Sequence, residues 1–319
     1  MSESTRPLIT VGITCFNAAA TIGRALESAL AQDWPHFEVV VVDDASSDDS
    51  PAIVAEYAGK DGRIRQFRHP ENRGCAAARN TILQQARGAF VAFFDDDDTS
   101  SPARLRIQYE RLVGYEKENG AVLVACYTSG TRHYPNGYQF PIVAIGSHPI
   151  APVGTVVADY LLAFVRKPDV FYGAGTPACS LLARTETFAR VGGFDESLRR
   201  QEDADFAVRL ALEGGHFIGT PEPLLQQFAT TGSEKSARAE HESLRRLLDK
   251  NHEYLRSKGL YDYMLGWSEI RFRHFNHQPF RALLALLQLG ISHPLRTAQH
   301  LVFSATRRYW HERNISARR

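Results

Sequence analysis

Residues 90–102 read FVAFFDDDDTSSP: five apolar residues run straight into four consecutive aspartates, Asp95 to Asp98. Adjacent carboxylates repel, and a buried carboxylate without a partner is costly. The stretch therefore calls for a cation at its end, or for side chains spread so that water reaches most of them. A short continuous apolar run is the pattern of a strand covered on both faces, as in a parallel sheet. The layout recurs upstream. FEVVVV (37–42) ends in Asp43 and Asp44, and LITVGIT (8–14) ends in Cys15, Phe16 and Asn17.

Helical segments separate these strands. Ile22, Ala25, Leu26, Ala29 and Leu30 share one face of a helix. Ser50-Pro51 predicts a capping residue followed by proline at the first helical position. IRQFR (64–68) is a short strand candidate, and the alanine-rich stretch 74–87 predicts a helix closed by Gly88. Ser101-Pro102 repeats the cap-and-proline signal and opens a helix over roughly 102–118. Strands alternating with helices imply right-handed βαβ units and an α/β fold with a mostly parallel, Rossmann-like sheet. Ligands in such sheets bind beyond the carboxyl ends of the strands. The clusters 14–17, 43–48 and 95–98 are thus expected on one rim.

Composition sets the outer limits. The chain has 319 residues, 44% of them hydrophobic and 23% charged, which fits a folded protein and not a disordered one. The formal net charge of +1 gives no global field toward nucleic acid, so any electrostatic specialisation is local. Cys15, Cys75, Cys126 and Cys179 lie far apart, without CxxC or zinc-finger spacing, and read as reduced, buried thiols. The N-terminal MSESTRPLIT lacks the layout of a signal peptide, and ALLALLQLGI (282–291) is too short to span a bilayer. A cytoplasmic protein is expected.

The middle, 121–180, predicts irregular strands and loops. GGFDES (192–197) reads as a turn. Glu202 and Asp203 then lead a helix whose Ala204, Ala207, Val208, Ala211 and Leu212 form one face, stopped by Gly214-Gly215. From about 236 the chain becomes helical, basic and amphipathic. The expected organisation is a catalytic domain over 1–235 and a helical extension over 236–319. The extension either packs on the domain or lies on an anionic membrane surface.

Each polar cluster has two readings when taken alone. The Asp run is a solvated loop or a site for a hard divalent cation, which takes carboxylate oxygens, water and substrate phosphates. Asp43-Asp44 caps a helix or accepts a hydrogen bond from a base. Arg79 forms a surface ion pair or grips phosphate. Glu202-Asp203 complements a helix dipole or supplies a catalytic base.

Together these segments resemble the family 2 glycosyltransferases, nucleotide-sugar-dependent enzymes of GT-A fold, over roughly residues 6–235. The segments that carry the resemblance are ITCFN (13–17), VVDDASSD (41–48), NRGCAAARN (72–80), FFDDDDTSSP (93–102) and VGGFDE…EDADFAVRL (191–210). The resemblance implies that Thr14, Phe16 and Asn17 line the base and ribose site, that Asp44 reads the nucleobase, compatibly with uracil, and that Arg79 approaches the nucleotide. It further implies that Asp95 and Asp96 contact ribose or sugar, and that Asp97 holds Mg²⁺ or Mn²⁺. Asp203 would be the general base, supported by Glu202, in an inverting transfer from a nucleotide-diphosphate sugar, a UDP-sugar first. The acceptor would be a sugar or a lipid-linked hydroxyl used in cell-surface polysaccharide or glycolipid synthesis, which suits an enzyme peripheral to the inner face of the plasma membrane. The family often adds an Arg-x-His segment after the GluAsp helix. Residues 224–236 here contain no His, so water or Thr230/Thr231 would complete the metal site.

Two other functions fit parts of the pattern. Asp95-x-Asp97-x-Thr99 matches the phosphatase motif of haloacid dehalogenases, although two βα units precede it and no GlyAsp dipeptide follows. A non-catalytic nucleotide-sugar-binding protein is the other. Dinucleotide and P-loop fingerprints are absent from the sequence.

Overall fold

The computed structural model describes residues 6–229 and 237–302. The chain opens with alternating units: β1 (Ile9–Cys15), α1 (Ile22–Leu30), β2 (Phe37–Asp43), α2 (Ser50–Lys60), β3 (Ile64–Arg68), α3 (Cys75–Gln85) and β4 (Phe90–Asp95). The four strands are parallel, in the order β3-β2-β1-β4. Every residue of β2 is buried: Val39 to Val42 are an apolar run covered on both faces, and Glu38 is held by Thr10 Oγ1 at 2.8 Å and Arg65 Nη1 at 2.9 Å. Helix α1 buries Ile22, Ala25, Leu26 and Ala29. Helix α3 buries Ala76, Ala77 and Ala78, small residues that let it lie close to the sheet. Gly12 on β1 serves the same approach, since a Cβ there would stand 2.5 Å from Ile82 of α3.

The second half is mixed. It comprises β5 (Thr99–Ser100), α4 (Arg104–Asn119), β6 (Val124–His133), β7 (Gln139–Ile142), α5 (Thr155–Ala163), β8 (Leu181–Arg184), α6 (Thr185–Val191), α7 (Glu202–Leu212) and β9 (His216–Phe228). The sheet continues β4-β8-β6-β9-β5, with β7 beside β6. Strand β8 runs antiparallel to both β4 and β6, while β6 and β9 are parallel. A mostly parallel sheet thus describes the first four strands, and the reversal at β8 makes the rest mixed.

Two local expectations are corrected. Ser50 is the first residue of α2 and not its cap. Its hydroxyl accepts the Ala18 N–H at 2.8 Å and donates to Asp48 Oδ1 at 2.5 Å, tying the loop after β1 to α2. The middle also holds regular structure. α5 carries a β-branched start that resembles a strand, but it packs on α7 as a helix. Ten-residue β6 was obscured by its Ser and Gly, which lie where its register with β9 shifts, between Thr128 and Gly130.

Helices follow: α8 (Ala237–Lys250), α9 (His252–Ser257), α10 (Tyr261–Phe275) and α11 (Pro279–Ser292), and residues 294–302 are helical as well. Leu247, Leu248, Met264 and Trp267 belong to the same apolar cluster as Phe93, Phe188 and Phe206. The helices after residue 236 therefore share a core with the sheet. Among the described residues, no helix is long and apolar enough to cross a membrane.

Candidate active site

The register of the central strands decides which polar groups meet. Thr14 lies level with Val42 of β2 and Asp95 of β4, and Cys15 with Asp43, so three strand ends reach one rim together. Hydrogen bonds lock the loops that leave it. The Phe16 N–H donates to Asp96 Oδ2 at 2.9 Å. The Asn17 N–H donates to Ser46 Oγ at 2.9 Å, and Asn17 Oδ1 accepts the Ser47 N–H at 2.9 Å. Asn17 adopts a left-handed φ of 50°, a conformation its short polar side chain tolerates. Its amide thus stitches two loops. The Phe16 ring stays 44% exposed, an aromatic face at the mouth of the rim. Thr14 Oγ1 lies 3.7 Å from Cys75 Sγ.

Asp44 is buried with both carboxylate oxygens engaged. Oδ1 meets His69 Nδ1 at 2.6 Å and accepts the Arg73 N–H at 2.9 Å, and Oδ2 accepts the Gly74 N–H at 2.7 Å. It anchors the 69–74 loop that leads into α3. An oxygen with one bond keeps a second lone pair, so Oδ2 retains acceptor capacity.

Arg79 is 5% exposed, between the rings of Phe93 and Phe194. Its Nη1 donates to Glu202 Oε1 at 2.6 Å, and its Nη2 stands 3.7 Å from Asp95 Oδ1. Arg79 is expected to approach the nucleotide, and its described carboxylate partners stand at the rim. The guanidinium joins the end of β4 to the start of α7 from beneath the rim. Gln201, at a left-handed φ of 66°, turns the chain so that Glu202 and Asp203 occupy the first turn of α7, where the helix dipole favours negative charge. Asp203 Oδ1 accepts the adjoining Ala204 N–H at 2.7 Å. Burial, reinforced by the charge of Glu202, pushes the Asp203 carboxyl up to about 7.

The four aspartates face different surroundings. Burial raises Asp95 despite Arg79 beside it, and Asp97 adds repulsion. Burial raises Asp96 to about 7 against its bond to the Phe16 N–H. Asp98 is buried, and its Oδ1 accepts the Phe228 N–H at 3.0 Å; burial, then Asp95 and Asp97, push it up to about 8. Asp97 is half-buried, and its backbone carbonyl accepts Arg24 Nη2 at 2.5 Å.

Asp95, Asp98 and Cys179 place one donor atom each within 4.8 Å of one another. Asp97, the expected direct metal ligand, is not part of this group. The two carboxylates suit a hard divalent cation, which would relieve the repulsion that raises them. The thiol suits it less: burial keeps Cys179 protonated far above neutral pH. Thr230 and Thr231, expected to complete a metal site, lie outside the described residues.

Three contributors escaped the sequence reading. Arg104 is fully buried and donates to the Phe93 carbonyl at 2.9 Å, to Ser100 Oγ at 2.9 Å and to Gln108 Oε1 at 3.0 Å. Burial lowers it to about 10, and Asp95 and Asp98 count among the charges that oppose the fall. Cys179 sits on the turn before β8, and Gln227 Nε2 donates to its sulfur at 3.0 Å. Only the Ser101-Pro102 helix signal hinted at Arg104, and no motif marks the other two. His216 pairs through Nδ1 with the Tyr115 hydroxyl at 2.9 Å, away from the acids.

The family model described as "Glycosyl transferase family 2" matches residues 10–178. The succinoglycan biosynthesis protein ExoO of Rhizobium meliloti is 49% identical over 105 residues, covering 33% of this chain and 30% of that protein. TuaG of Bacillus subtilis, assigned to teichuronic acid biosynthesis, is 39% identical over 108 residues, 34% of this chain and 43% of that protein. The chain thus spans less than half the length of these curated relatives. Staphylococcus aureus TarS 1–349, solved with UDP-GlcNAc, superposes with a TM-score of 0.59 at 22% identity, over 84% of this chain and 73% of TarS. A mannosyltransferase from Pyrobaculum calidifontis, solved with GDP-Man and Mn²⁺, gives 0.54 at 19% identity, over 95% and 81%. These two likenesses bear on the fold alone. The family match overturns the phosphatase alternative for Asp95 and Asp97.

Proposed function

The chain belongs to glycosyl transferase family 2, and on that premise we propose that it transfers a sugar, with inversion, from a nucleotide-diphosphate donor to an acceptor hydroxyl. One observation carries the reading. Asp203, an acid raised to about 7, stands at the start of α7, and Arg79 bonds the neighbouring Glu202 to the end of β4, where the other acids gather. A base working near neutral pH needs such a value.

The donor occupies the rim. Phe16 offers its exposed face to the base or ribose, Thr14 lines the same mouth, and Asp44 Oδ2 accepts from the base. A base that donates an N–H suits that acceptor, and UDP is the first nucleotide to test. Asp96, fixed by the Phe16 N–H, borders ribose and sugar. Asp95 and Asp98, with Asp97 adjoining, would hold Mg²⁺ or Mn²⁺, which supplies charge neutralisation at the departing diphosphate. Asp203 Oδ2, the oxygen not bonded to Ala204, takes the acceptor hydroxyl's proton. The freed oxygen attacks the anomeric carbon opposite the diphosphate, the bond to the diphosphate breaks, and one displacement inverts the configuration. Arg79 fixes Glu202 beside Asp203, and their like charges keep the base basic.

Polysaccharide or glycolipid assembly is the setting proposed, from the relatives' roles. Phe280, Leu284, Leu287 and Ile291 of α11 are exposed by 83%, 66%, 56% and 84%. This apolar face supports peripheral docking on the inner face of a membrane, where a lipid-linked acceptor would reside.

The test is calorimetric titration of UDP, GDP and CDP with and without Mn²⁺, followed by NMR assignment of the product's anomeric configuration. Cation-dependent binding of one diphosphate and an inverted product are expected. Binding of none overturns the reading. Binding without transfer to any acceptor or to water favours a non-catalytic nucleotide-sugar-binding protein.

A further inference from the structure

A cavity of about 1030 Å³ separates the sheet from the C-terminal helices, and its charge is opposite to that of the acid rim. Arg132 of β6, Arg166, Lys258, Arg271 of α10 and Arg296 line it, and Asp159 is the one carboxylate among the described lining residues. Asp159 is already committed, at 2.6 Å from Lys258 Nζ and 2.6 Å from the Tyr254 hydroxyl.

Three of the arginines meet only neutral partners among the described residues. Arg132 donates twice to Gln227 Oε1, at 3.1 and 2.8 Å. Arg166 lies over the Tyr160 ring and 3.5 Å from its hydroxyl. Arg296 donates to the carbonyls of Gly259 and Lys258 at 3.1 and 3.4 Å. Guanidinium groups that line one cavity without carboxylate partners of their own suit phosphate. Aromatic and apolar walls accompany them: Phe140, Tyr160, Tyr263 and Trp267. The cavity is large enough for a ligand much bigger than an ion.

Its position ties it to the reaction. The same Gln227 that accepts from Arg132 donates to Cys179, which neighbours Asp95 and Asp98. One side chain therefore separates the cavity wall from the acid cluster. The helical residues 294–302 place Arg296, Gln299 and His300 on the cavity and expose Leu295 and Val302 by 79% and 69%. A single wall is thus cationic within and apolar without.

We propose that this cavity is an acceptor subsite for a phosphate-bearing amphiphile: a phosphate or diphosphate ester whose apolar group runs along the aromatic wall while its sugar hydroxyl reaches toward Asp203. The assignment rests on the transferase reading above and adds the acceptor's chemical class and its site.

The test is titration of farnesyl diphosphate and of inorganic pyrophosphate, each with UDP and Mn²⁺ saturating so that the donor rim is filled. The readout is the heat of binding and tryptophan fluorescence. Wild type should bind farnesyl diphosphate more tightly than pyrophosphate, which separates an amphiphile from a free anion. Arg132→Gln and Arg166→Gln should each weaken farnesyl diphosphate at least about tenfold while leaving UDP affinity unchanged. Arg166 is exposed, so its variant folds, and retained UDP binding checks folding for both. Pyrophosphate binding as tightly as the prenyl ester overturns the amphiphile. Absence of binding, or affinity indifferent to both substitutions, overturns the subsite. If UDP fails to bind wild type, the donor reading has failed instead, and the cavity stands or falls on the two diphosphate titrations alone.

Discussion

The acid rim and the cationic cavity adjoin one another and are built by contrasting means. The rim takes its carboxylates from strand ends and a helix start, buries them, and fixes them with backbone N–H groups of Phe16, Phe228 and Ala204. The cavity takes its arginines from β6, loops and C-terminal helices, and among the described residues Arg132, Arg166 and Arg296 meet neutral partners. Buried acids that repel one another are poised to change protonation or to take a cation. Guanidinium groups on neutral partners keep donors for an anion. The contrast teaches that a chain with a formal net charge of +1 can hold two opposed local fields, which its composition alone does not disclose.

The contrast breaks first at the base. Asp203→Asn should lower transfer by about 10²–10⁴ while sparing nucleotide binding, read by release of nucleotide diphosphate beside calorimetry. Turnover near the wild-type rate would remove Asp203 from the reaction. Wild-type turnover should also climb as pH rises through about 7, the value to which burial lifts this acid.

Next comes the cost of losing a cation on each side. Arg79→Met leaves Glu202 and Asp95 without their shared partner and should cost roughly 3–5 kcal/mol in urea unfolding. Arg166→Met in the cavity should stay within about 0.5 kcal/mol, the range of surface changes. Equal losses would show that the two regions do not differ in kind.

A smaller effect comes from Asp98. Its pKa in the folded protein, about 8, lies above that of an unfolded aspartate, about 4. The folded state holds this proton more tightly. Stability from this group is therefore present below about pH 4 and is lost as pH rises toward about 8. Asp98→Asn keeps an oxygen for the Phe228 N–H and should flatten the decline in Tm across that window. A slope identical to wild type would show that Asp98 is not strained. Mn²⁺ should raise the wild-type Tm at pH 8 and raise that of Asp98→Asn much less.

The smallest effect on the fold is expected at α11. Phe280→Glu combined with Ile291→Glu should leave Tm nearly unchanged and reduce flotation with anionic liposomes. Flotation equal to wild type would remove the membrane proposal and leave the cavity unaffected.

Much of the first half was legible because its signals are local. Apolar runs at 39–42 and 90–94 need cover on both faces, and acids at their ends need a rim. α5 and β6 were missed because the apolar run of α5 reads as a strand and Ser and Gly interrupt β6, so packing decided both. In the candidate site, the sequence marked Glu202, Asp203 and the aspartate run. It could not pair Arg79 with Glu202, 123 residues away, or show that Asp44 is held by His69, Arg73 and Gly74.

What the sequence determined by itself was therefore the α/β layout and the gathering of acids at the strand ends, since both follow from residue period and from the cost of burying charge. What only the tertiary structure decided was the ranking of the four aspartates, the company of Arg104, Cys179 and Gln227, and the cationic cavity. Those depend on which distant groups share a buried volume, and burial and neighbouring charge, not residue type, set how an acid or an arginine behaves.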